Sequence, residues 1–343
     1  EKDMRNAILA SVILGSMLTV AQAADVKVSG NVGVRNDTDK VGVLNTVRDR
    51  FRAQLKVTAT PDDKTTIVAG LTTGSTKSTW NDMGGDNSLK TASLNLAYVE
   101  YAAAPFAKVT LGKMNRPWAS SALFYDNDIK PEGVAVALKE NNLGVFANAF
   151  RLKLSEELTN QDSTLVGAQV GIAKEIAGAK VVASVAQLNQ DYKSPTQICV
   201  IPKTVPSLPI CSYEKRNLQS FNLGVAKDVA GLPVAAFYEQ AKNDKAKTLN
   251  KATAYGVTIG QAKKAGSWEA GYINQKIEAN SLSTVWTDSD FANATVGNKG
   301  YGLTATYAVT DSLKARATMY DADVGVLKPV KYKRTLLDLI YTF

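Results

Sequence analysis

From Asp25 onward the chain repeats one pattern: an alternating apolar and polar run of about ten residues, a break, and another run. Successive side chains of a strand point to opposite faces, so each run makes a ribbon with one apolar and one polar face. In VKVSGNVGVR, Val26, Val28, Val32 and Val34 oppose Lys27, Ser29, Asn31 and Arg35. In RDRFRAQLKVTAT, Phe51, Ala53, Leu55, Val57 and Ala59 oppose Arg50, Arg52, Gln54, Lys56 and Thr58. The same parity returns in the runs that begin at Val166, Phe221, Tyr255, Trp268, Tyr301 and Leu313. A fold made of such ribbons must cover their apolar faces, either with a second sheet or with lipid.

Two features favour lipid. The apolar faces are rich in Ala rather than large branched residues, and Tyr, Trp or Phe stands near strand ends, as in the interfacial girdles of a transmembrane barrel. The breaks also differ in length. TPDDKT, KENN, KEIAGAK, DVAGLP, KKAGS and TDS are tight, whereas GSTKSTWNDMGGDNS, KLSEELTNQDST, the stretch from Asp191 to Lys215 and that from Glu278 to Lys299 are long and polar. Short turns on one rim and long loops on the other are the asymmetry of a bacterial barrel. The expected fold is all-β: a transmembrane antiparallel barrel of about 16 strands spanning residues 24–343. LGVFANAFRL and KVVASVAQLNQ alternate ambiguously. A mean hydropathy of −0.12 is compatible with this fold, because only half of every strand is apolar.

The start of the chain has a different grammar. Met4 and Arg5 lead into an apolar stretch from Ala7 to Val20 that closes on Ala21-Gln22-Ala23, the pattern of a secretory leader with its cleavage site. The run is shorter than the ~20 residues of a spanning helix, so residues 1–23 are expected to be a signal peptide, with an uncleaved anchor as the alternative. Glu1 to Asp3, ahead of Met4, are expected to be an upstream addition. Residue Phe343 ends the chain, with Tyr341, Leu339 and Leu337 at alternate positions before it, an apolar row that asks for a surface to lie on.

The formal charge of +8 admits nucleic acid, anionic lipid or small anions as partners. No Lys/Arg run with interleaved aromatics occurs, and an exported chain has little occasion to meet nucleic acid, so that class is set aside. There is no histidine. This removes Ser-His and Cys-His catalysis and His-ligated zinc. Two-carboxylate hydrolysis survives only in principle, so neither an enzyme, a cofactor nor a metal is expected. Cys199 and Cys211 fall in the Pro-rich QICVIPKTVPSLPIC, where an oxidising compartment favours one disulfide stapling a loop; two thiols alone make a poor metal site.

One stretch is more specific: AYVEYAAAPFAKVTLGKMNRPW, Ala97 to Trp118, followed by ASSALFYDNDIKPEGVAVAL. It resembles the general bacterial porins, in which an Ala-Tyr-Val strand, a turn with Phe and a Val-Thr-Leu-Gly-Arg strand lead into a third loop folded inside the channel. Lys113 stands where that family has arginine, with Arg116 close behind. The resemblance implies an inward third loop from about Met114 to Glu132, shorter than in enteric members. It also implies a basic wall of Arg48, Arg50, Arg52, Lys56, Lys113 and Arg116 facing Asp126, Asp128 and Glu132 on the loop. Opposed charges across a narrow aqueous gap orient dipolar solutes and select ions. The implied function is passive diffusion of small ions and hydrophilic solutes, with preference for anions, in the outer membrane. Solvated arginines without a selective role, a structural or adhesive barrel with a plugged lumen, and a secreted soluble β protein remain as alternatives. A homotrimer, contact with outer-membrane lipid and lipopolysaccharide, and an assembly signal at Tyr341 and Phe343 read by the barrel-assembly machinery follow from the resemblance alone.

Overall fold

A computed structural model of the chain describes residues 25–74, 78–84, 89–121, 123–155, 163–191, 198–200, 210–212, 215–326 and 328–343. The expected leader, residues 1–23, lies outside them. The main sheet has 17 segments, one of which, Asn81–Asp82, is a two-residue bridge laid against a wall strand; the other 16 form a closed antiparallel barrel. They are β1 (Asp25–Val41), β2 (Leu44–Asp62), β3 (Thr65–Thr73), β4 (Ala92–Ala104), β5 (Ala107–Lys113), β6 (Glu132–Glu140), β7 (Val145–Ser155) and β8 (Ser163–Ile176). The second half comprises β9 (Ala179–Asp191), β10 (Lys215–Val229), β11 (Leu232–Asn243), β12 (Lys251–Gly260), β13 (Trp268–Ile277), β14 (Asn298–Ala308), β15 (Leu313–Val324) and β16 (Val330–Thr342).

Each strand pairs with its sequence neighbours, and β1 pairs with β16 from Asn31↔Thr342 to Val41↔Tyr332. Gly30 and Phe343 extend that seam with reciprocal backbone hydrogen bonds of 3.0 and 3.1 Å. Closure matters because an unpaired strand edge in hydrocarbon would leave its N–H and C=O groups without partners. Both termini of the barrel lie on the rim of the tight turns. Two of these, Ala177-Gly178 and Ala230-Gly231, are two-residue hairpins with positive φ at both positions, which matches the right-handed twist of the flanking strands. The opposite rim carries the long connections, so the expected asymmetry is present. Its first connection, Gly42-Val43, is its shortest, a two-residue turn at the tip of the two longest strands, 17 and 19 residues against 7 in β5.

Alternation decides which residues meet lipid. Val28, Val32, Val170, Val185, Leu303, Met319, Leu337 and Leu339 are all exposed on the outside of the barrel. Trp268 stands opposite Tyr307 near the turn rim, with Phe106, Tyr341 and Phe343 also exposed. A second aromatic row crosses β10 to β14: the ring centroids of Phe221 and Tyr238 are 6.4 Å apart, those of Tyr255 and Tyr272 6.4 Å, and those of Tyr272 and Tyr301 6.3 Å. These rows are the interfacial aromatics that a spanning barrel requires. No helix among the described residues is long and apolar enough to cross a membrane.

The ambiguous strands β7 and β9 have a physical explanation. Their inward positions Phe150, Leu152, Ala186 and Leu188 are apolar and buried because loops cover them from inside. Phe150 stacks on Trp118 of the third loop at 4.7 Å. Both faces of these strands therefore meet apolar surroundings, which erases the alternation.

Candidate functional site: the loop-crossed lumen

The third loop, residues 114–131, leaves the wall at two glycines. Gly112 and Gly133 are register partners with φ of +124° and +151°. A Cβ on either would stand 2.2 or 2.3 Å from a carbonyl oxygen of the adjoining strand, so this root requires glycine. Met114 N–H donates to Pro131 O (2.8 Å) and closes the loop's neck. At its base Lys113 pairs with Glu132 at 2.6 Å, two residues beyond the outward Leu111 and Val134.

Inside the barrel the loop is held by named groups. Arg116 turns into its own loop and donates to the carbonyls of Trp118, Ser120, Ser121 and Tyr125. Ala119 N–H donates to Gln169 Oε1 of β8 (2.8 Å), whose amide donates back to Ala119 O (2.9 Å). Glu239 of β11, only 1% exposed, accepts from Ser121 N–H at 2.6 Å and from the Ser120 hydroxyl. Asp126 accepts from Ser289 N–H (3.0 Å) of the seventh loop, residues 278–297, and Asp128 accepts from Thr79 Oγ1 (3.1 Å) of the second loop, residues 74–91. Three loops thus meet inside the lumen. Burial holds the Asp126 carboxyl above the usual carboxylate range, against the hydrogen bond it accepts from Asp128 N–H.

The facing wall belongs to β1, β2, β15 and β16. Arg48, Arg50 and Arg52 share its inward face, and Asp37, fully buried, accepts from Arg48 (3.0 Å), Arg50 (3.3 Å) and Arg334 (2.8 Å). Asp338 pairs with Arg35 at 2.6 Å and Arg316 at 2.5 Å. Arg52 differs from the other two. Its Nε donates to Asn31 Oδ1 (3.1 Å), and no carboxylate among the described residues forms an ion pair with it. Trp80 of the second loop lies under two guanidinium groups, 4.3 Å from Arg35 and 4.7 Å from Arg52. Below this lattice Lys27, Lys56 and Lys314 continue the inward parity without ion-pair partners among the described residues. No cluster of His, Cys, Asp and Glu among the described residues could hold a metal ion. Cys199 and Cys211 are Cα partners in the two-stranded ribbon Ile198–Val200 and Ile210–Ser212.

The sequence model of the family described as "Putative porin" matches residues 17–194, more than half the chain. The chain belongs to this porin family. No curated protein sequence matches it. Solved porin structures share the fold at low identity. Pseudomonas putida OprB is 10% identical with a TM-score of 0.64, over 96% of each chain. Salmonella typhi OmpF, solved with daunomycin, is 13% identical with a TM-score of 0.58, over 94% of this chain and 98% of that one. Vibrio cholerae OmpT in a trimer form is 13% identical with a TM-score of 0.54, over 94% of this chain and all of that one. The protein is an outer-membrane porin, with the all-β barrel and inward third loop of that fold.

The porin's seventh loop was expected to be a polar external connection. Instead Leu282, Trp286, Phe291 and Val296 are buried within the lumen, and Trp286 meets Trp118 and Tyr125 of the third loop edge-on at 6.4 and 6.2 Å. Asp290 of this loop pairs with Arg35 (3.0 Å) and Arg334 (3.2 Å), which hold it below the usual carboxylate range despite desolvation. Asp288 is pushed well up, first by desolvation and then by the charges of Asp290 and Asp126. Just beyond, Ala292, Asn293 and Ala294 lie consecutively in the left-handed region at φ of +52°, +53° and +55°. That conformation costs an L-residue about 1–2 kcal/mol. The apolar residues scattered through this loop were the available sequence signal. Asp37, Glu239 and Asp338 had none, since each is a single carboxylate in an ordinary strand.

Proposed function

We propose that the porin passes small hydrophilic solutes by passive diffusion and prefers anions. The observation that carries this reading is the unequal pairing of the lumen charges. Most wall arginines are neutralised at close range by Asp37, Asp338 and Asp290. Lys56, Lys27 and Lys314 have no ion-pair partner among the described residues, Arg52 feels Asp128 only beyond ion-pair reach, and low-dielectric walls focus their field on a passing ion. In this reading Arg48, Arg50, Asp126 and Asp128 fix the loops and the wall, while Lys113, Glu132 and Arg116 shape the root and interior of the third loop.

The test is the reversal potential of single channels in a planar bilayer under a salt gradient. Wild-type channels should favour anions, and Arg52→Gln with Lys56→Gln should move the potential toward cations. An unchanged potential removes these two residues from the filter. A wild-type protein that forms no channel would favour the structural barrel instead.

Residues 1–23 are proposed as a cleaved leader. The Cα pairing of Cys199 with Cys211 supports a disulfide across the fifth loop. A homotrimer is proposed by likeness to OmpT, whose structure is of a trimer form. Outer-membrane lipid and lipopolysaccharide are the proposed surroundings of the aromatic rows. Tyr341 and Phe343, exposed on the seam strand, are proposed as the signal read by the assembly machinery.

A further inference from the structure

We propose that the seventh loop is a second constriction, strained and latched to the wall by Asp290, and that this latch sets how wide the channel opens. The inference rests on the porin reading and adds a specificity-determining residue to it.

The latch is built from several contacts at one point. Asp290 carboxylate oxygens pair with Arg35 and Arg334, and Arg334 also donates to the carbonyls of Ser289 (3.0 Å) and Asp290 (3.2 Å). Tyr332 donates its hydroxyl to Asp290 O at 3.2 Å. Three wall side chains from β1 and β16 therefore converge on two loop residues. The same short segment is tied to the third loop, where Asp126 N–H donates to Trp286 O (2.7 Å) and Ser289 N–H donates to Asp126 Oδ2 (3.0 Å). The third loop in turn is pinned to Gln169 and Glu239. The result is a strut from the β1/β16 seam, through both loops, to β8 and β11 on the far side.

Two observations make the strut a latch rather than a permanent wall. The left-handed run from Ala292 to Ala294 adjoins Asp290, and release of the aspartate would let that backbone relax. At the junction of the two loops, Trp118 Nε1, Tyr125 Oη and Trp286 Nε1 are buried with no hydrogen-bond partner among the described residues. Parting the loops would give these groups polar company, so the closed arrangement is opposed at its centre and held at its ends. Width then depends on an ion pair between a loop carboxylate and two wall arginines, not on the backbone ladder that keeps the barrel closed.

The experiment compares Asp290→Asn and Asp126→Ala with wild type, and with Asp311→Asn on the opposite rim as a charge-matched control. Heat-modifiable electrophoretic mobility checks that each barrel has closed. Single-channel conductance and the size limit for neutral solutes in liposome swelling are the readouts. Release of the strut from either end should raise conductance at least about twofold and admit larger neutral solutes, with Asp311→Asn unchanged. Should Asp290→Asn alone change conductance, without a new size limit, the effect comes from two uncovered arginines and the proposal is overturned. Wild-type behaviour in both variants overturns it too. If Asp290→Asn fails to close, Asp126→Ala decides alone by the same criteria. A wild-type protein with no conductance defeats the porin reading itself, which separates the two failures.

Discussion

Arg334 on the last strand grips Asp37 on the first with two parallel hydrogen bonds, Nε to Oδ1 at 2.9 Å and Nη2 to Oδ2 at 2.8 Å. The pair crosses the seam where the barrel closes, and both side chains are almost wholly buried. Removing one partner of such a pair strands the other charge away from water. Asp37→Ala is expected to destabilise the barrel by about 3–5 kcal/mol, because Arg334, Arg48 and Arg50 all lose their shared acceptor. Urea titration of protein refolded in lipid should show a lowered midpoint. Arg334→Lys, which keeps the charge and loses the fork, should cost less.

Glu239 holds the third loop from the opposite wall. Glu239→Ala leaves Ser121 N–H without its acceptor, a loss of about 1–3 kcal/mol in the pinned state. At the lower end of that range the unpinned population rises roughly fivefold. Single-channel records should then show more frequent transitions between conductance levels, with the strand hydrogen-bond ladder intact by infrared spectroscopy.

Acidification should quiet the channel before it disturbs it. Asp288 and Asp126 have folded pKa values above their unfolded ones, so the loop packing they oppose when ionised is firmest while they are protonated, and it weakens as pH rises through those raised values. Around Asp288 stand Asp290, Asp126, Arg334 and Tyr320. Asp290 is depressed, so its contribution holds above its unfolded value and is lost only as pH falls through its own lower one. Lowering pH from neutral toward the ordinary carboxylate range should therefore reduce open-channel fluctuation. In stronger acid it should return, and Asp288→Asn should flatten the first change. A fluctuation that grows steadily from neutral downward would contradict the assignment.

Phe343 packs over Gly30 at the seam, where a Cβ would stand 2.8 Å from its ring. Deleting Phe343 removes both backbone bonds to Gly30 as well as that contact. Folding into lipid vesicles should slow, and so should that of Gly30→Val, whose Cβ would stand 2.3 Å from the Gln54 carbonyl oxygen of β2 as well as 2.8 Å from the ring. Equal folding rates for all three proteins would leave the terminal residue without a role in closure.

How much of this was legible depends on which solvent each face meets. Val26 to Val34 and Phe51 to Ala59 announce themselves because lipid and water impose opposite demands at successive positions. The third loop could be anticipated from AYVEYAAAPFAKVTLGKMNRPW and what it resembles. Its partners could not, since Gln169 and Glu239 are ordinary polar residues on the water face of β8 and β11 until a loop reaches them. LGVFANAFRL was ambiguous for the same reason, as Phe150 faces inward but meets Trp118 instead of water. The pairing of Arg35, Arg50 and Arg334 with aspartates also lay beyond the pattern, which counts arginines on a face without locating the carboxylates that reach them.

The tip of the β1–β2 hairpin meets the outside world differently from every long loop. Val41 pairs with Leu44 across only Gly42 and Val43, and Val43 is 95% exposed. An antibody, phage fibre or other visitor that lands there finds a shape already set by a continuous ladder of backbone hydrogen bonds. Little conformational freedom is lost on contact, so this small knuckle offers a firmer handhold than connections many times its length.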